Sequence, residues 1–336
     1  MPDNGPSAFP YVHFPTGWFA VAASRELAAG EVKPIHYFGT DLVLFRTESG
    51  QAVVTDPYCP HLGAHLGYGG QVEGETIRCP FHHWKFEASG RCVSVPFAPV
   101  PAKARLRTWP TAEHNGMVLV WYDLDGRAPG WEMPDFEETP VPELEGIKTY
   151  ENIKTFPQEI LENGADWLHF NTVHATRQLS GEVDPRSDGP HNLVFTFRTR
   201  DMETDPAMDH FRGEVAFYGP GYGRNLSWGK PFPNLTVENS VYVTPIDHGT
   251  LTIRSLHRIV PDANNPMPMD GLKQIFAGLG PEITRQLEQD VIIWERKTYF
   301  PRPMLAASDG PILKYRKWYS QFYPEGPEAA AMGKVA

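Results

Sequence analysis

The sequence predicts an all-β domain followed by an α+β domain, in which helices flank an antiparallel sheet. From about residue 17 to 122, short segments rich in Val, Phe and Tyr alternate with turn sequences, which is typical of a small β domain. A second group of β segments, from about 191 to 260, lies between helical patterns. We divide the 336 residues within a proline-rich connection, into domains 1–125 and 126–336.

Local sequence patterns predict the individual strands and helices of both domains. The β segments of the first domain, separated by Gly-containing turns, are WFAVAAS, PIHYFGTDLVLFRT, QAVVTD, RCVSVPF and GMVLVWYD. Those of the second domain are LVFTFRTR, GEVAFYG, TVENSVYVTP and TLTIRSLHRIV. Helices are expected near 157–176, 281–299 and 312–323. The apolar residues of VAFYG and SVYVTP either line a pocket or form plain sheet core.

The overall charge excludes some classes of partner. The chain has 30 Lys and Arg against 41 Asp and Glu, a formal net charge of −11, so nucleic acids and anionic membranes are disfavoured. The longest apolar runs, such as GMVLVWY, are too short to span a bilayer, and the N-terminus has no signal-peptide pattern. We therefore expect a cytoplasmic protein without a membrane span.

Two of the three cysteines belong to a metal-binding pattern, while Cys92 is expected to be a small buried residue. Cys59-x-His61 and Cys79-x-x-His82 each supply one thiol and one imidazole. A structural zinc site could also use two Cys and two His, but zinc fingers pair Cys locally with Cys and His with His. The alternation instead favours a Rieske [2Fe–2S] cluster, with both thiolates on one iron and both imidazoles on the other.

This cluster alone does not define a function, because a Rieske protein can be an electron carrier with no substrate chemistry. Neutral imidazoles reduce the negative charge on the cluster and raise its reduction potential. The neighbouring His65 and His83 are expected to shield the cluster rather than to bind it. An electron carrier requires no second metal site, so the remainder of the chain decides between the two classes.

A second set of metal-ligand residue types lies at Asp166-x-x-His169-x-x-x-x-His174. Two imidazoles and one carboxylate form the facial triad that leaves positions open on ferrous iron. Asp166 and His169 share a helix face, but His169 and His174 are five residues apart and diverge on a straight helix. For both histidines to reach one metal, the helix must end or bulge between them. A solvated Asp166 and two ordinary histidines remain the alternative.

The carboxylate ligand is either Asp166 or Asp290. On a helical wheel, Asp290 falls on an apolar face with Ile283, Leu287 and Trp294. A buried carboxylate is costly unless a cation or a metal compensates its charge, so Asp290 is a metal-ligand candidate. A buried Arg partner or a helix-packing hydrogen bond is the alternative.

With both motifs in place, the chain resembles the Rieske non-heme iron oxygenases of the α-subunit type, over nearly its whole length. C-P-H and C-P-F-H-H-W resemble the cluster motif, and E-x3-D-x2-H-x4-H, from Glu162 to His174, resembles the iron motif. The resemblance implies a helix-grip-like catalytic domain in which His169, His174 and Asp290 ligate the mononuclear Fe(II). It further implies that Asp166 bridges the iron site to the cluster of a neighbouring subunit in a head-to-tail homotrimer.

The C-terminal sequence narrows the resemblance. QDVIIWERKTY and SDGPILKYRKWYSQFYP are similar to the branch that contains 3-ketosteroid 9α-hydroxylase oxygenases and cholesterol 7-desaturases. This similarity implies O2-dependent hydroxylation or desaturation of a steroid or sterol, with NAD(P)H electrons delivered by a ferredoxin or flavin reductase. The same machinery acting on an aromatic substrate, or as a demethylase, is the alternative within the class.

Overall fold

The computed structural model describes residues 9–136, 141–174, 179–180, 189–199, 212–229, 232–264, 267–306 and 308–326. Two compact units are present: an N-terminal unit, 16–136, and a C-terminal unit made of the described residues from 141 onward together with 9–15. The sequence-based division placed residues 9–15 in the first domain. They belong to the C-terminal unit because Phe9 stacks on Phe156 and Tyr11 stacks on Tyr323, each pair at 3.7 Å between ring centroids.

The N-terminal unit is an all-β structure, as predicted. Its strands are β1 (Gly17–Ala23), β2 (Val32–Tyr37), β3 (Thr40–Arg46), β4 (Ala52–Thr55), β5 (Gln71–Glu73), β6 (Thr76–Arg78), β7 (Lys85–Glu87), β8 (Cys92–Ser94), β9 (Thr108–Trp109), β10 (Thr111–His114) and β11 (Met117–Tyr122). They form antiparallel sheets in the orders β1-β11-β10, β2-β3-β4-β9 and β5-β6-β7-β8. The two Cys/His motifs lie on the loops after β4 and after β6.

The C-terminal unit is built on one antiparallel sheet. Its strands are β12 (Glu145–Ile153), β13 (Leu179–Ser180), β14 (Asn192–Thr199), β15 (Arg212–Tyr218), β16 (Tyr222–Gly229), β17 (Phe232–Asp247) and β18 (Thr250–Pro261). Their order is β12-β18-β17-β16-β15-β14-β13, so most sequence neighbours are also sheet neighbours. Because side chains alternate between the two faces, residues paired across strands lie on one face. Each neighbouring pair in this order is antiparallel, which confirms the predicted antiparallel sheet.

Four α-helices accompany this sheet in the described residues: α1 (Pro157–Glu162), α2 (Trp167–Thr172), α3 (Met269–Trp294) and α4 (Ile312–Tyr319). The helix predicted at 281–299 begins earlier, at Met269, and contains Pro281 in its interior. Proline is most common in the first turn of a helix, yet Pro281 lies in the interior of α3. Packing overrides that preference, since Leu272 is buried against Leu235 and Ile259 of the sheet.

The far end of α3 completes the main core of this unit. Leu287 and Trp294 pack there with Phe217 and Ile253 of the sheet and with Tyr315 of α4. Fully burying one such side chain contributes about 1.5–3 kcal/mol. The helix is therefore held against one face of the sheet at both of its ends. No helix within the described ranges is both long and apolar enough to cross a membrane.

Candidate iron site and cavity

The segment that carries the second motif is a broken helix. The helix α1 ends at Glu162, residues 163–165 form a single 3-10 turn, and Asp166 is extended with φ −98° and ψ 91°. Its carboxylate accepts a hydrogen bond from the backbone N–H of His169 at 3.3 Å, so Asp166 is the N-cap of α2. The helix α2 ends at Thr172. This break confirms the expectation that the helix ends between the two histidines.

The break brings His169 and His174 together with Asp290 of α3. One ligand atom from each of the three side chains lies within 4.8 Å of the others, and all three residues are buried. His174 Nε2 is 3.2 Å from Asp290 Oδ2, and the two imidazole centroids are 5.2 Å apart. Two imidazoles and one carboxylate at this spacing match the donor set that ferrous iron binds on one face. The residues present therefore fit a mononuclear iron.

Hydrogen bonds orient both imidazoles for metal binding. The Nδ1–H of His169 donates to the backbone carbonyl of Asp166, and that of His174 donates to Gln289 Oε1 at 3.2 Å. In the neutral imidazoles, Nε2 is then the unprotonated nitrogen, and that of His174 is directed toward Asp290. Gln289 was not predicted from the sequence. Its position directly before Asp290 was the only signal, and it became meaningful once the helix contacts were known.

The surroundings shift the pKa values of the two imidazoles in opposite directions. Burial lowers the pKa of His169, although the charge of Asp290 partly opposes this effect. Burial acts in the same direction on His174, but the hydrogen bond and charge of Asp290 outweigh it and raise the pKa of that residue. A metal ion requires neutral imidazoles, so it would take the place of the proton between His174 and Asp290. The space between His174 and Asp290 is thus suited to a cation.

Asp166 itself is half-buried, unlike Asp290. The other candidate carboxylate, Asp290, is the one that groups with the two histidines. Asp290 does not pair with an arginine among the described residues; its ion-pair partner is His174. Of the two acidic candidates, Asp290 thus has the geometry of a ligand, while Asp166 caps the helix that carries His169.

A mostly apolar cavity adjoins this site. It encloses about 530 Å³ of space, part of which is open to solvent. His169 and Asp290 lie in its lining, so the cavity reaches the candidate metal site. Most other lining residues are apolar and come from α1, α3 and the sheet: Ile160, Leu161, Val215, Phe217, Val241, Leu287 and Trp294.

Both segments for which the sequence left open either a pocket or plain sheet core contribute to this lining. VAFYG contributes Val215 and Phe217, and SVYVTP contributes Val241. Three amides in the lining, those of Asn163, Asn225 and Asn239, were not predicted from the sequence. Their positions follow from strand register and helix packing, and no local motif indicates them.

In the first motif, the two cysteines lie in one cluster and the two histidine rings lie against each other. Cys59 and Cys79 are buried in one apolar cluster, and burial raises the pKa of the Cys59 thiol to about 11. The rings of His61 and His82 are 4.6 Å apart in an edge-to-face arrangement. Pairing thiol with thiol and imidazole with imidazole is what a two-iron cluster with distinct irons requires. These four residues therefore fit a Rieske cluster.

The residues around these loops support their geometry. Trp84 stacks on His61 with 4.5 Å between centroids and 8° between planes, a contact that the sequence analysis did not predict. Gly63 and Gly69 have φ values of 76° and 90°, the left-handed conformation that glycine adopts most easily. His65 Nδ1 accepts the N–H of Gly67 at 3.0 Å, so its role is within the loop. Cys92 is buried, as expected.

Comparison with known proteins places the chain in a family. Residues 120–323 match the model described as the 3-ketosteroid 9alpha-hydroxylase C-terminal domain, and residues 17–110 match that of the Rieske [2Fe-2S] domain. The chain belongs to the 3-ketosteroid 9α-hydroxylase family of Rieske oxygenases. The resemblance found in the sequence is thereby confirmed, and the Rieske model spans all four residues of the first motif. The chain is accordingly an oxidoreductase with a Rieske [2Fe–2S] domain and a candidate mononuclear iron site.

Relatives of this Rieske oxygenase include desaturases and monooxygenases. Cholesterol 7-desaturase nvd 1 of Ciona intestinalis is 33% identical, over 93% of this chain and 69% of its own. The probable 3-ketosteroid-9-alpha-monooxygenase oxygenase component of Rhodococcus rhodochrous is 31% identical, over 94% and 81%. Among solved structures, Pseudomonas putida CBB5 NdmA, a QL mutant with caffeine, has a TM-score of 0.71 at 20% identity, over 95% and 92%. This last likeness concerns the fold alone.

Proposed function

We propose that this chain is the oxygenase component of a multicomponent system that hydroxylates or desaturates a steroid or sterol-like apolar substrate. The observation that carries the proposal is the apolar cavity that reaches His169 and Asp290. The named relatives act on cholesterol and on 3-ketosteroids, which supports a polycyclic substrate. Electrons originate from NAD(P)H and arrive through a ferredoxin or flavin reductase, and O2 is the co-substrate.

The metal ligands are assigned as follows in this proposal. His169, His174 and Asp290 hold one Fe(II). Cys59 and Cys79 hold one iron of the [2Fe–2S] cluster, and His61 and His82 hold the other. When bound, the cluster supplies electrons one at a time and the ferrous iron supplies activation of O2. The like-with-like pairing of the first set and the close grouping of the second support these assignments.

The side chains around the iron site have defined tasks. Asp290 compensates the charge of the cation, and the Nδ1–H bonds of His169 and His174 keep Nε2 free as the ligand atom. The apolar lining excludes water from the reacting C–H bond and binds an apolar skeleton through buried area. Phe217 of the sheet and Leu287 of α3 both line the cavity and position the substrate beside the metal site.

Asp166 is assigned the role of a bridge between subunits of a homotrimer. In this role its carboxylate accepts an imidazole N–H from the cluster ligands of a neighbouring subunit and so shortens the electron path. Its half-buried carboxylate at the N-terminus of α2 and the exposed ring of His61 are compatible with such a contact. Replacing Asp166 by Asn should leave both metal centres bound and should slow electron transfer to the mononuclear iron.

The substrate assignment is tested by product analysis. The purified chain, an electron-donating reductase and NADH are incubated under O2 with steroids, sterols and small aromatic compounds. We expect an alcohol or an alkene from a steroid or sterol, with no product in the Asp290→Ala variant. Turnover confined to the aromatic compounds would contradict the proposed substrate and would favour the alternative within the same class.

A further inference from the structure

A row of polar side chains crosses the apolar face of the sheet that lines the cavity. Asn225, Asn239 and His257 are paired across β16, β17 and β18. Side chains paired in this way share one face, with Cβ atoms about 4.5–5.5 Å apart. Asn225 and Asn239 both line the cavity. One polar atom of a bound molecule can therefore reach both amides.

The two amides differ in the hydrogen-bonding groups that they leave available. Asn239 Oδ1 accepts a hydrogen bond from Ser255 Oγ at 3.1 Å, so this amide retains its N–H donors. Asn225 Oδ1 is buried and accepts no hydrogen bond from the residues that the structure describes. Buried acceptors are nearly always paired in folded proteins. An unpaired acceptor and a free donor side by side indicate a ligand group that can both donate and accept.

The third amide of the lining does not have this property. Asn163 Oδ1 accepts the indole N–H of Trp294 at 3.2 Å, so its acceptor is already in use. The Asn225–Asn239 pair is thus distinguished from it by chemistry and by its place on the sheet.

The pair lines the same cavity as two of the candidate iron ligands, His169 and Asp290. Asn225 and Asn239 belong to the sheet, whereas Asp290 belongs to α3. A molecule bound in this cavity can therefore contact the amide pair and lie beside the candidate iron site.

We propose that Asn225 and Asn239 form a hydroxyl-binding subsite that selects alcohols over ketones on the same polycyclic skeleton. A hydroxyl donates to Asn225 Oδ1 and accepts from the Asn239 amide, whereas a ketone can only accept and leaves Asn225 unpaired. This inference rests on the proposed function, because it names the polar group of that substrate. It makes the Asn225 acceptor a determinant of specificity.

The test compares 5α-androstan-3β-ol with 5α-androstan-3-one, which share a skeleton and differ in one oxygen function. Equilibrium dialysis of the tritiated compounds against the iron-loaded protein gives dissociation constants without turnover. The native protein should bind the alcohol about tenfold more tightly than the ketone, the factor expected for one buried acceptor left unpaired. Asn225→Leu should abolish this preference by weakening the alcohol, with the ketone unchanged.

Two further variants keep the test decisive. Asn225→Asp retains an acceptor and should retain the preference for the alcohol. Val241→Ala removes apolar contact from the same cavity and should weaken both compounds by the same factor, so that their ratio is unchanged. A ratio near one in the native protein, or a ratio that Asn225→Leu does not alter, overturns the subsite but not the steroid substrate. Failure of the native protein to bind either compound overturns both.

Discussion

The hydrogen bond between His174 and Gln289 provides a direct test of how the iron site is held. In Gln289→Leu the acceptor for His174 Nδ1–H is removed, while a side chain of similar size remains. The His174 side chain is only 3% exposed, so water cannot easily replace the lost acceptor. The imidazole is then free to change its tautomer or to rotate away from Asp290. Loss of such an orienting partner typically weakens metal binding by about 10- to 100-fold, or about 1.4–2.8 kcal/mol.

The measurement is an anaerobic titration of Fe(II) against a competing chelator, with the visible spectrum of the cluster as an internal reference. Gln289→Glu restores an acceptor and should restore most of the affinity, which distinguishes positioning from simple packing. Gln286→Leu is the matched control, because Gln286 is on the same helix and its amide bonds to Glu282 rather than to a candidate ligand. If Gln289→Leu and Gln286→Leu bound iron equally well, the orienting role of Gln289 would be refuted.

Two further predictions concern the scaffold of the site. Glu162→Gln should lower the free energy of unfolding, measured in urea, by about 3 kcal/mol. The reason is that the largely buried Arg316 then lacks its carboxylate partner at 2.6 Å. An effect no larger than that of breaking the exposed ion pair between Arg285 and Glu282 would contradict this prediction. Gly310→Ala should lower both the stability of the protein and its Fe(II) affinity, because a Cβ there would overlap the carbonyl oxygen of Ala165 in the turn before α2. Gly278 lies in open space within α3, so Gly278→Ala should stabilise the protein by about 0.5–1 kcal/mol. Equal effects of the two glycine substitutions in thermal unfolding would refute the close contact.

Local sequence patterns predicted the parts of the site that depend on short-range chemistry. The Cys/His loops follow from ligand spacing, and the end of α2 between His169 and His174 follows from helix geometry. The ligand geometry of Asp290 was anticipated because a lone carboxylate on an apolar helix face needs a compensating cation. These inferences required only residues close in sequence.

The features that were missed depend on contacts between distant segments. Gln289 becomes an orienting residue only because α3 places it against His174, 115 residues earlier in the chain. Asn225 and Asn239 become neighbours through the register of β16 and β17. The start of α3 was predicted too late, because the burial of Leu272 extends the helix back to Met269 and keeps Pro281 in its interior. In each case tertiary packing outweighs the local signal.

The central claim is that this chain carries two separate iron centres, of which one is held by His169, His174 and Asp290. The most direct measurement is iron content together with the electron paramagnetic resonance spectrum of the reduced cluster in Asp290→Ala. Asp270→Ala, a carboxylate at the exposed start of the same helix, is the control. The account predicts that Asp290→Ala loses the mononuclear iron and retains the complete cluster signal, while the control retains both centres. Retention of all iron in Asp290→Ala would contradict the assignment.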